Sequence, residues 1–128
     1  KLPPKKKKKT NFTENELSAH QISEFMLEKK AIDIKIIDVR NLTTLTDFFV
    51  ICTSESQPQS RAIADHVSLE MKKNGVDSWH TEGYQHLDWV LVDFVNVVVH
   101  VFSREARDYY DFERLWADGE ITIVQDSQ

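Results

Sequence analysis

The segment His86–Phe102, HLDWVLVDFVNVVVHVF, combines β-forming apolar residues with side chains that can do chemistry. Carboxylates such as Asp88 and Asp93 can ligate metals, and His100 can transfer protons. Trp89 belongs to the residue type that most often anchors a protein partner. The same residues also occur on ordinary half-buried sheets. The segment is therefore an active site, a docking face or plain sheet, and the rest of the chain must discriminate between these.

Histidine and cysteine fall at spacings that do not favour a metal centre or a nucleophile. Tetrahedral zinc sites use closely spaced pairs such as HxxxH or HExxH, which are absent among His20, His66, His80, His86 and His100. Cys52 lies within VICT, a context typical of a small buried side chain. Pairing of Cys52 with His100 or His66 as a nucleophile therefore has little support. We expect no metal, no cofactor and no catalytic residue.

Carboxylates raise an alternative hypothesis of phosphate chemistry. Asp38, Asp47, Asp88 and Asp93 offer the oxygen ligands that a divalent metal needs in a transferase. However, the chain has no glycine-rich loop beside a D-x-D pair and no Walker-type sequence. A divergent metal-dependent nucleotidyltransferase stays an alternative, and the missing loops count against it.

Charge is distributed unevenly along the 128 residues. The first ten, KLPPKKKKKT, carry six lysines and no acid, which leaves 10 basic and 21 acidic residues in the body, a net charge of −11. Such a body repels a phosphate backbone and suits a basic protein partner. The Lys5–Lys9 run is either a weak contact to RNA or a solubilising tail, and the sequence leaves both open.

The elements that position these residues begin with two helices and two strands. TENE at Thr13 is a capping box and predicts a helix from about residue 14 to residue 30. DIKIIDV (33–39) and FFVICT (48–53) are typical of strands, joined by the turn RNLTTLTD. A second helix, capped by Ser54 or Ser56, runs to Asn74, and a short strand is expected at 76–80.

The opening segment is predicted to be a hairpin with Val95-Asn96 as its two-residue loop. This register opposes Trp89 to Phe102 and Leu91 to His100. One face then carries Asp88, Val90, Val92, Phe94, Val97, Val99 and Val101, and is core. The other face is amphipathic and needs a lid, either the last helix of this chain or another molecule. Because Val95 is a poor residue for a tight turn that needs positive φ, a longer loop with exchanged faces stays possible.

The chain closes with REARDYYDFERLWADG (104–119), which predicts one short amphipathic helix. Three of its aromatic residues, Tyr109, Phe112 and Trp116, lie at positions i, i+3 and i+7. They either pack on the sheet or dock a partner, and the pattern favours neither. The final ITIVQDSQ adds an edge strand or hangs free. We divide the chain into a basic tail (1–12), one domain (13–119) and a C-terminal tail (120–128).

Six blocks resemble the ribosomal silencing factor family, also called the Iojap family, in order and spacing. They are DVRNLTTLTDFFVICT (38–53), QSRAIADHV (59–67), EG (82–83), DWVLVDF (88–94), VVVHVF (97–102) and RDYYDFERLWAD (107–118). The resemblance covers residues 14 to 118. One departure lies at the hairpin turn, where the family has Gly and a small polar or acidic residue, and this chain has Val95-Asn96.

The resemblance implies an α/β (α+β) fold: a mixed β-sheet with helices packed on it, a nucleotidyltransferase-like scaffold without catalytic residues. It implies a non-enzymatic translational repressor that binds the large ribosomal subunit through large-subunit ribosomal protein fourteen. Family members bind on the face that meets the small subunit. Occupying that face blocks joining of the small subunit when nutrients are scarce. Some members assist large-subunit assembly, also in organelles, and free members are commonly homodimers.

Carried onto this chain, the resemblance centres the ribosome-facing surface on Trp89. The predicted partner-binding residues are Asp88, Trp89, Leu91, His100, Tyr109, Tyr110, Asp111 and Trp116.

Because the lone Cys52 excludes an internal disulfide framework and no apolar run reaches transmembrane length, we expect a cytoplasmic protein. A homo-oligomeric scaffold that pairs through its amphipathic face is a further alternative.

Overall fold

A computed structural model describes residues 12–125 as four helices and a six-stranded sheet. The helices are α1 (Glu14–Glu28), α2 (Gln57–Lys73), α3 (Arg104–Tyr110) and α4 (Phe112–Leu115). The strands are β1 (Ile32–Asp38), β2 (Phe48–Ser54), β3 (His80–Glu82), β4 (Trp89–Asp93), β5 (Val97–Ser103) and β6 (Glu120–Val124).

The sheet has the order β3-β4-β5-β2-β1-β6. Strands β2 and β5 run parallel, whereas the neighbouring pairs β3-β4, β4-β5, β1-β2 and β1-β6 are antiparallel. The parallel pair sits at the centre because α2 crosses between β2 and the hairpin that contains β5. The predicted fold class, a mixed sheet with helices packed on it, is confirmed.

Both long helices begin where their capping residues stand. The Thr13 hydroxyl accepts the Glu16 N–H at 3.1 Å, and the Glu16 carboxylate accepts the Thr13 N–H at 2.8 Å. The Ser56 hydroxyl accepts the Gln59 N–H at 3.1 Å, so Ser56 rather than Ser54 caps α2. These bonds satisfy backbone donors that the first helical turn leaves open.

One face of the sheet forms the main core with α1 and α2. The helices contribute the fully buried Ala19, Ile22, Met26, Ile63, Val67 and Met71, and the strands contribute Ile36, Val50, Val90, Val92, Val99 and Val101. The other face carries a second cluster, in which Phe49, Ile51 and Phe102 pack against α3 and α4. Because α3 and α4 are short, this second face is covered over only part of its area.

The hairpin has the predicted register. Trp89 opposes Phe102, Leu91 opposes His100, and the Phe94 N–H reaches the Val97 carbonyl at 2.9 Å. Val95 takes the positive φ of 77° that the two-residue loop requires. The Asn96 N–H also bonds the Phe94 carbonyl at 3.0 Å. This bond makes Val95 the central residue of a γ-turn at positive φ, which is the strained form of that turn and an unusual conformation for a β-branched residue.

Two predicted elements near the ends of the sheet are wrong. The closing segment is not one helix, because Asp111 adopts φ 50° and separates α3 from α4. The strand predicted at 76–80 is instead β3, which starts at His80. Val76 packs against the main core, so the apolar character of this segment serves core packing rather than pairing.

The ends of the chain also differ from the predicted division. β6 pairs with β1 along its length, with Ile121 opposite Ile37. Of the two alternatives for the final segment, the edge strand is therefore the one formed, and a boundary at residue 119 leaves one strand outside the domain. Phe12, placed in the basic tail, stacks on His20 with ring centroids 4.8 Å apart. The Lys5–Lys9 run lies outside the described residues.

Within residues 12–125, no helix is both long and apolar enough to cross a bilayer.

Candidate functional site

Trp89 is the centre of an aromatic cluster on the second face of the sheet. Its ring centroid lies 4.8 Å from Phe102, 5.8 Å from Phe112 and 5.0 Å from Tyr110. Strand alternation points Trp89 and Phe102 to the same side, and α3 and α4 bring the other two rings over them. Trp89 is therefore half-buried, held by ring contacts that contribute to folding.

His100 lies beneath this cluster as a neutral imidazole. The Trp89 Nε1–H donates to His100 Nδ1 at 3.0 Å. An indole nitrogen can only donate, so Nδ1 is unprotonated and the proton sits on Nε2. Burial lowers the pKa of His100 to about 3, which keeps the ring neutral near neutral pH. A neutral, enclosed imidazole is suited to hold a geometry rather than to shuttle protons.

An apolar groove of about 460 Å³ opens beside the cluster. Its buried side chains are Thr46, Phe49, Val98 and His100, its half-buried ones are Thr43, Leu91, Asp93 and Trp116, and its exposed ones are Leu45, Trp79 and Val95. The last three are 83%, 69% and 52% exposed. We call this surface the apolar groove. Large exposed apolar side chains gathered around a concave surface are typical of a site for a partner or ligand.

Three backbone contacts place the exposed side chains of the apolar groove. The Asn96 carbonyl accepts the N–H groups of Asp47 and Phe48 at 3.0 and 3.2 Å, which ties the loop before β2 to the hairpin tip. The Trp79 N–H donates to the Asp93 carbonyl at 2.9 Å, which extends the β3-β4 pairing by one residue. Leu45, Val95 and Trp79 thus project from loops that rigid strands hold in position.

The structure brings together part of the predicted partner-binding set. Trp89, Leu91, His100 and Trp116 share the second face, and Tyr110 covers Trp89. Tyr109 is 80% exposed and packs edge-on against Tyr110 at 5.0 Å.

Two predicted acidic residues stand away from the apolar groove. Asp111 is exposed at the break between α3 and α4, where its carboxylate accepts the Arg114 Nε–H at 2.7 Å. Asp88 lies beside the first turns of α2 and α3, and its carbonyl accepts the Ser103 N–H at 2.9 Å. Neither residue lines the groove.

Sequence reasoning missed the exposed side chains of the apolar groove. Leu45 carried a usable signal, because it is an apolar residue within the polar turn RNLTTLTD. Trp79 falls inside the strand predicted at 76–80. The structure places it before β3, where its side chain is exposed. Val95 is an unfavourable residue in a tight turn, and that strain is itself the signal of a constrained position.

An ionic clamp, which we define as Lys35, Arg107 and Glu113, fastens α3 and α4 to the sheet. The Glu113 carboxylate accepts Arg107 Nε–H at 2.7 Å and Lys35 Nζ–H at 2.9 Å. Arg107 Nη1 also donates to the Asp33 carbonyl and the Thr53 hydroxyl, at 2.7 and 2.8 Å. The Arg107 hydrogen bond is the main reason that the pKa of Glu113 falls to about 2. The clamp therefore ties α3 and α4, which we call the partial lid of the second face, to β1 and β2.

Groups that could support catalysis are dispersed. Burial raises the pKa of the Cys52 thiol to about 12, which makes it a poor nucleophile. Asp38 binds Arg40 at 2.7 Å, and Asp93 projects on the other side of the sheet, where its carboxylate accepts the Val95 N–H at 2.7 Å. Within residues 12–125, no group of three or more His, Cys, Asp or Glu side chains is placed to hold a metal ion.

The fold and the apolar groove define the class of protein. It is an α/β protein with a mixed sheet, and one face of the sheet is only partly covered and carries the groove. A crystal structure of a protein from Chromobacterium violaceum matches it with a TM-score of 0.80 and 34% identity, covering 90% of this chain and 96% of that one. A crystal structure from Bacillus halodurans matches with a TM-score of 0.69 and 32% identity, covering 82% and 93%.

The family follows from the sequence. A family model described as ribosomal silencing factor during starvation matches residues 12–128, and the chain belongs to that family. The ribosomal silencing factor of Bacillus subtilis is 40% identical over 71% of this chain and 77% of its own length. That of Haemophilus influenzae is 40% identical over 73% and 96%. The chloroplastic Iojap protein of Arabidopsis thaliana is 33% identical over 78% of this chain and 42% of its own length. The predicted resemblance is confirmed.

Proposed function

We propose that the chain is a translational repressor that binds the large ribosomal subunit and blocks joining of the small subunit. The observation that carries the proposal is the apolar groove, whose exposed Leu45, Trp79 and Val95 are not covered by the helices of this chain. Exposing such an apolar cluster to water is unfavourable, and a bound partner would cover it. The family is named for silencing ribosomes, which indicates where that partner lies.

The partner in this proposal is large-subunit ribosomal protein fourteen, on the face that meets the small subunit. A basic ribosomal protein suits a body whose net charge beyond residue 10 is −11. The proposed contact residues are Leu45, Trp79 and Val95 together with Asp88, Trp89, Leu91, His100, Tyr109, Tyr110, Asp111 and Trp116. Lys5–Lys9 would add a weak contact to ribosomal RNA.

The mechanism in this proposal is occlusion. The bound chain occupies the surface that the small subunit needs, so no bond is made or broken and no cofactor takes part. The relatives are named as silencing factors rather than as enzymes, which supports a non-enzymatic role. The protein would act wherever ribosomes assemble, in the cytoplasm in the simplest case, and it would also accompany large-subunit assembly.

Co-sedimentation with purified large subunits tests the proposal with wild type beside Trp79→Ala and Leu45→Ala. Both side chains are more than half exposed, so truncation should leave the melting temperature within a few degrees of wild type. Removing an aromatic anchor should weaken binding by about 2 kcal/mol. Trp89→Ala is a poorer probe, because Trp89 supports the aromatic cluster and its loss would lower folding stability as well.

Leu69→Ala is the matched control. Leu69 is 53% exposed on α2, in the layer on the opposite face of the sheet. It should pellet with large subunits as wild type does. The proposal is wrong if wild type stays in the supernatant at low salt. A sucrose gradient of mixed subunits should also show fewer joined ribosomes with wild type than with Trp79→Ala.

Self-pairing through the same surface is a second candidate, favoured by the same exposed side chains. A homodimer that hides the apolar groove would protect free protein from aggregation and open on the ribosome. Sedimentation velocity at micromolar concentration should then show a dimer for wild type and a monomer for Trp79→Ala. A persistent wild-type monomer removes this candidate and leaves the ribosome-binding proposal untouched.

A further inference from the structure

Three polar atoms at the apolar groove lack a hydrogen-bond partner. Among the residues described, His100 Nε2, Trp116 Nε1 and Thr46 Oγ1 are shielded from solvent and bond to no protein atom. All three residues line the groove. The rings of His100 and Trp116 flank Phe49, with centroids 5.2 and 5.0 Å from it. Unpartnered buried polar atoms destabilise a folded chain, so three at one surface require an explanation.

The chemistry of these atoms is that of donors. An indole Nε1–H donates and never accepts. The Trp89 indole occupies His100 Nδ1, so the proton of His100 is on Nε2 and points away from that bond. The Thr46 hydroxyl both donates and accepts. The side chains that line the apolar groove therefore include two N–H donors and one hydroxyl next to aliphatic and aromatic walls.

The charge around the groove restricts what these donors take. Asp93 lines the groove, and the body of the chain is strongly acidic. A carboxylate or phosphate would be repelled there, and a cation would bind the Asp93 carboxylate and leave the N–H groups of His100 and Trp116 unpaired. A neutral oxygen, such as the carbonyl of a peptide or of an amide side chain, satisfies the N–H groups without charge repulsion.

We infer that the apolar groove recognises a neutral oxygen acceptor carried on an apolar segment of the basic protein partner, with His100, Trp116 and Thr46 as its specificity-determining residues. This inference rests on the proposed function and adds the chemistry of the contact. Leu91 and Val95 cover the apolar part of the segment, while the acceptor enters between the side chains that shield the donors. A segment without an acceptor would leave the three polar atoms buried and unpaired, which is how such a site rejects it.

Binding to purified large subunits tests the inference with Thr46→Val and Trp116→Phe. The first removes one hydroxyl at nearly constant volume, and the second removes the indole N–H while keeping an aromatic ring. Each should weaken binding about five- to tenfold, the usual effect of one lost hydrogen bond. Thr46→Val should melt no lower than wild type, because the free chain leaves that hydroxyl unpaired. Ser68→Ala, which removes a hydroxyl from α2 in the layer across the sheet, is the control and should bind as wild type.

A second measurement needs no ribosome. The chain has three tryptophans, so its NMR spectrum holds three indole N–H signals, and Trp116→Phe assigns one of them. Benzamide, which carries a neutral carbonyl on an aromatic ring, should move the Trp116 signal downfield. Toluene and benzoate at equal concentration should not, because one lacks an acceptor and the other is charged.

The outcomes separate the two proposals. Wild type that fails to bind large subunits while benzamide shifts the Trp116 signal overturns the proposed partner and supports the acceptor site. Wild type that binds, with Thr46→Val and Trp116→Phe binding equally well, overturns the acceptor site and supports the proposed function. A Trp116 signal that responds equally to benzamide and toluene, or to neither, also overturns the acceptor site, as does a large drop in the melting temperature of Thr46→Val.

Discussion

At the scale of single residues, His100 links the stability of the chain to pH. Burial depresses its pKa from 6.5 to about 3, so below pH 6.5 the unfolded chain takes up a proton that the folded chain refuses. The contribution of neutral His100 to the free energy of unfolding is fully present above pH 6.5 and is lost as the pH falls toward 3. We expect the free energy of unfolding to drop by about 1–2 kcal/mol between pH 6.5 and pH 5.

Urea denaturation of wild type and His100→Phe across this range measures the effect. The variant should start less stable, because Trp89 loses its acceptor, but its stability should change less with pH. Glu113 does not interfere, because its depressed pKa makes its contribution fall away only below pH 4.5. Parallel curves for the two proteins would show that His100 carries no such linkage.

Val95 shows strain at an exposed position of the apolar groove. Its φ of 77° favours glycine, and a β-branched residue adopts it at a cost. We expect Val95→Gly to raise the free energy of unfolding by about 1 kcal/mol while weakening binding to the large subunit. Val95→Ala is the control, since it removes the two γ-methyl groups but keeps the Cβ that disfavours a positive φ. Equal denaturation midpoints for the two variants would contradict the explanation by strain.

The sequence predicted residues of the second face better than residues in its loops. Alternation in a strand fixes the side to which Trp89, Leu91 and His100 point, so the hairpin register alone placed them together. Leu45 and Trp79 sit in loops, where no periodicity assigns a direction to a side chain. The hydrogen bonds that position these loops are accepted by the Asn96 and Asp93 carbonyls. They join distant parts of the chain, and a sequence pattern does not contain them.

At the scale of elements, the ionic clamp holds the partial lid on the sheet. The Arg107 side chain is 10% exposed and bonds Glu113, Asp33 and Thr53. We expect Arg107→Met to lower the free energy of unfolding by about 2–3 kcal/mol, because charged hydrogen bonds are lost and Glu113 keeps only Lys35.

The exposed ion pair of the same lid gives a matched control. Arg114 bonds Asp111 with its side chain 81% exposed, so Arg114→Met should change stability by less than about 0.5 kcal/mol. Guanidinium denaturation of both variants provides the comparison. If the two midpoints coincide, the clamp contributes no more than a surface pair and another contact must hold α3 and α4.

The elements that were predicted wrongly or left open are those decided by distant contacts. The closing segment has helical spacing throughout, yet Asp111 interrupts the helix. The break lets α4 bring the Phe112 ring to a centroid distance of 4.3 Å from the His100 ring. It also brings Glu113 to its hydrogen bond with Arg107. The final strand forms because β1 offers it an edge. By contrast, α1, α2 and the hairpin carry their own caps, periodicity or turn, and their positions were predictable.

At the scale of the whole molecule, charge and the apolar groove should act on different steps of binding. A body of net charge −11 attracts a basic partner over a distance, whereas apolar contacts act after docking. Raising NaCl from 20 to 300 mM should slow association with the proposed partner, isolated large-subunit ribosomal protein fourteen, by about tenfold. Dissociation should change much less.

Removing the lysine-rich residues 1–10 tests whether net charge sets the association rate. With it the net charge is −5, and without residues 1–10 it is −11. If association is steered by net charge, the truncated chain should bind the isolated protein faster at low salt and lose more of that rate as salt rises. Surface plasmon resonance at several salt concentrations gives both slopes. Identical slopes would mean that encounter depends on local charges around the groove, with Asp93 the first candidate, rather than on the charge of the whole chain.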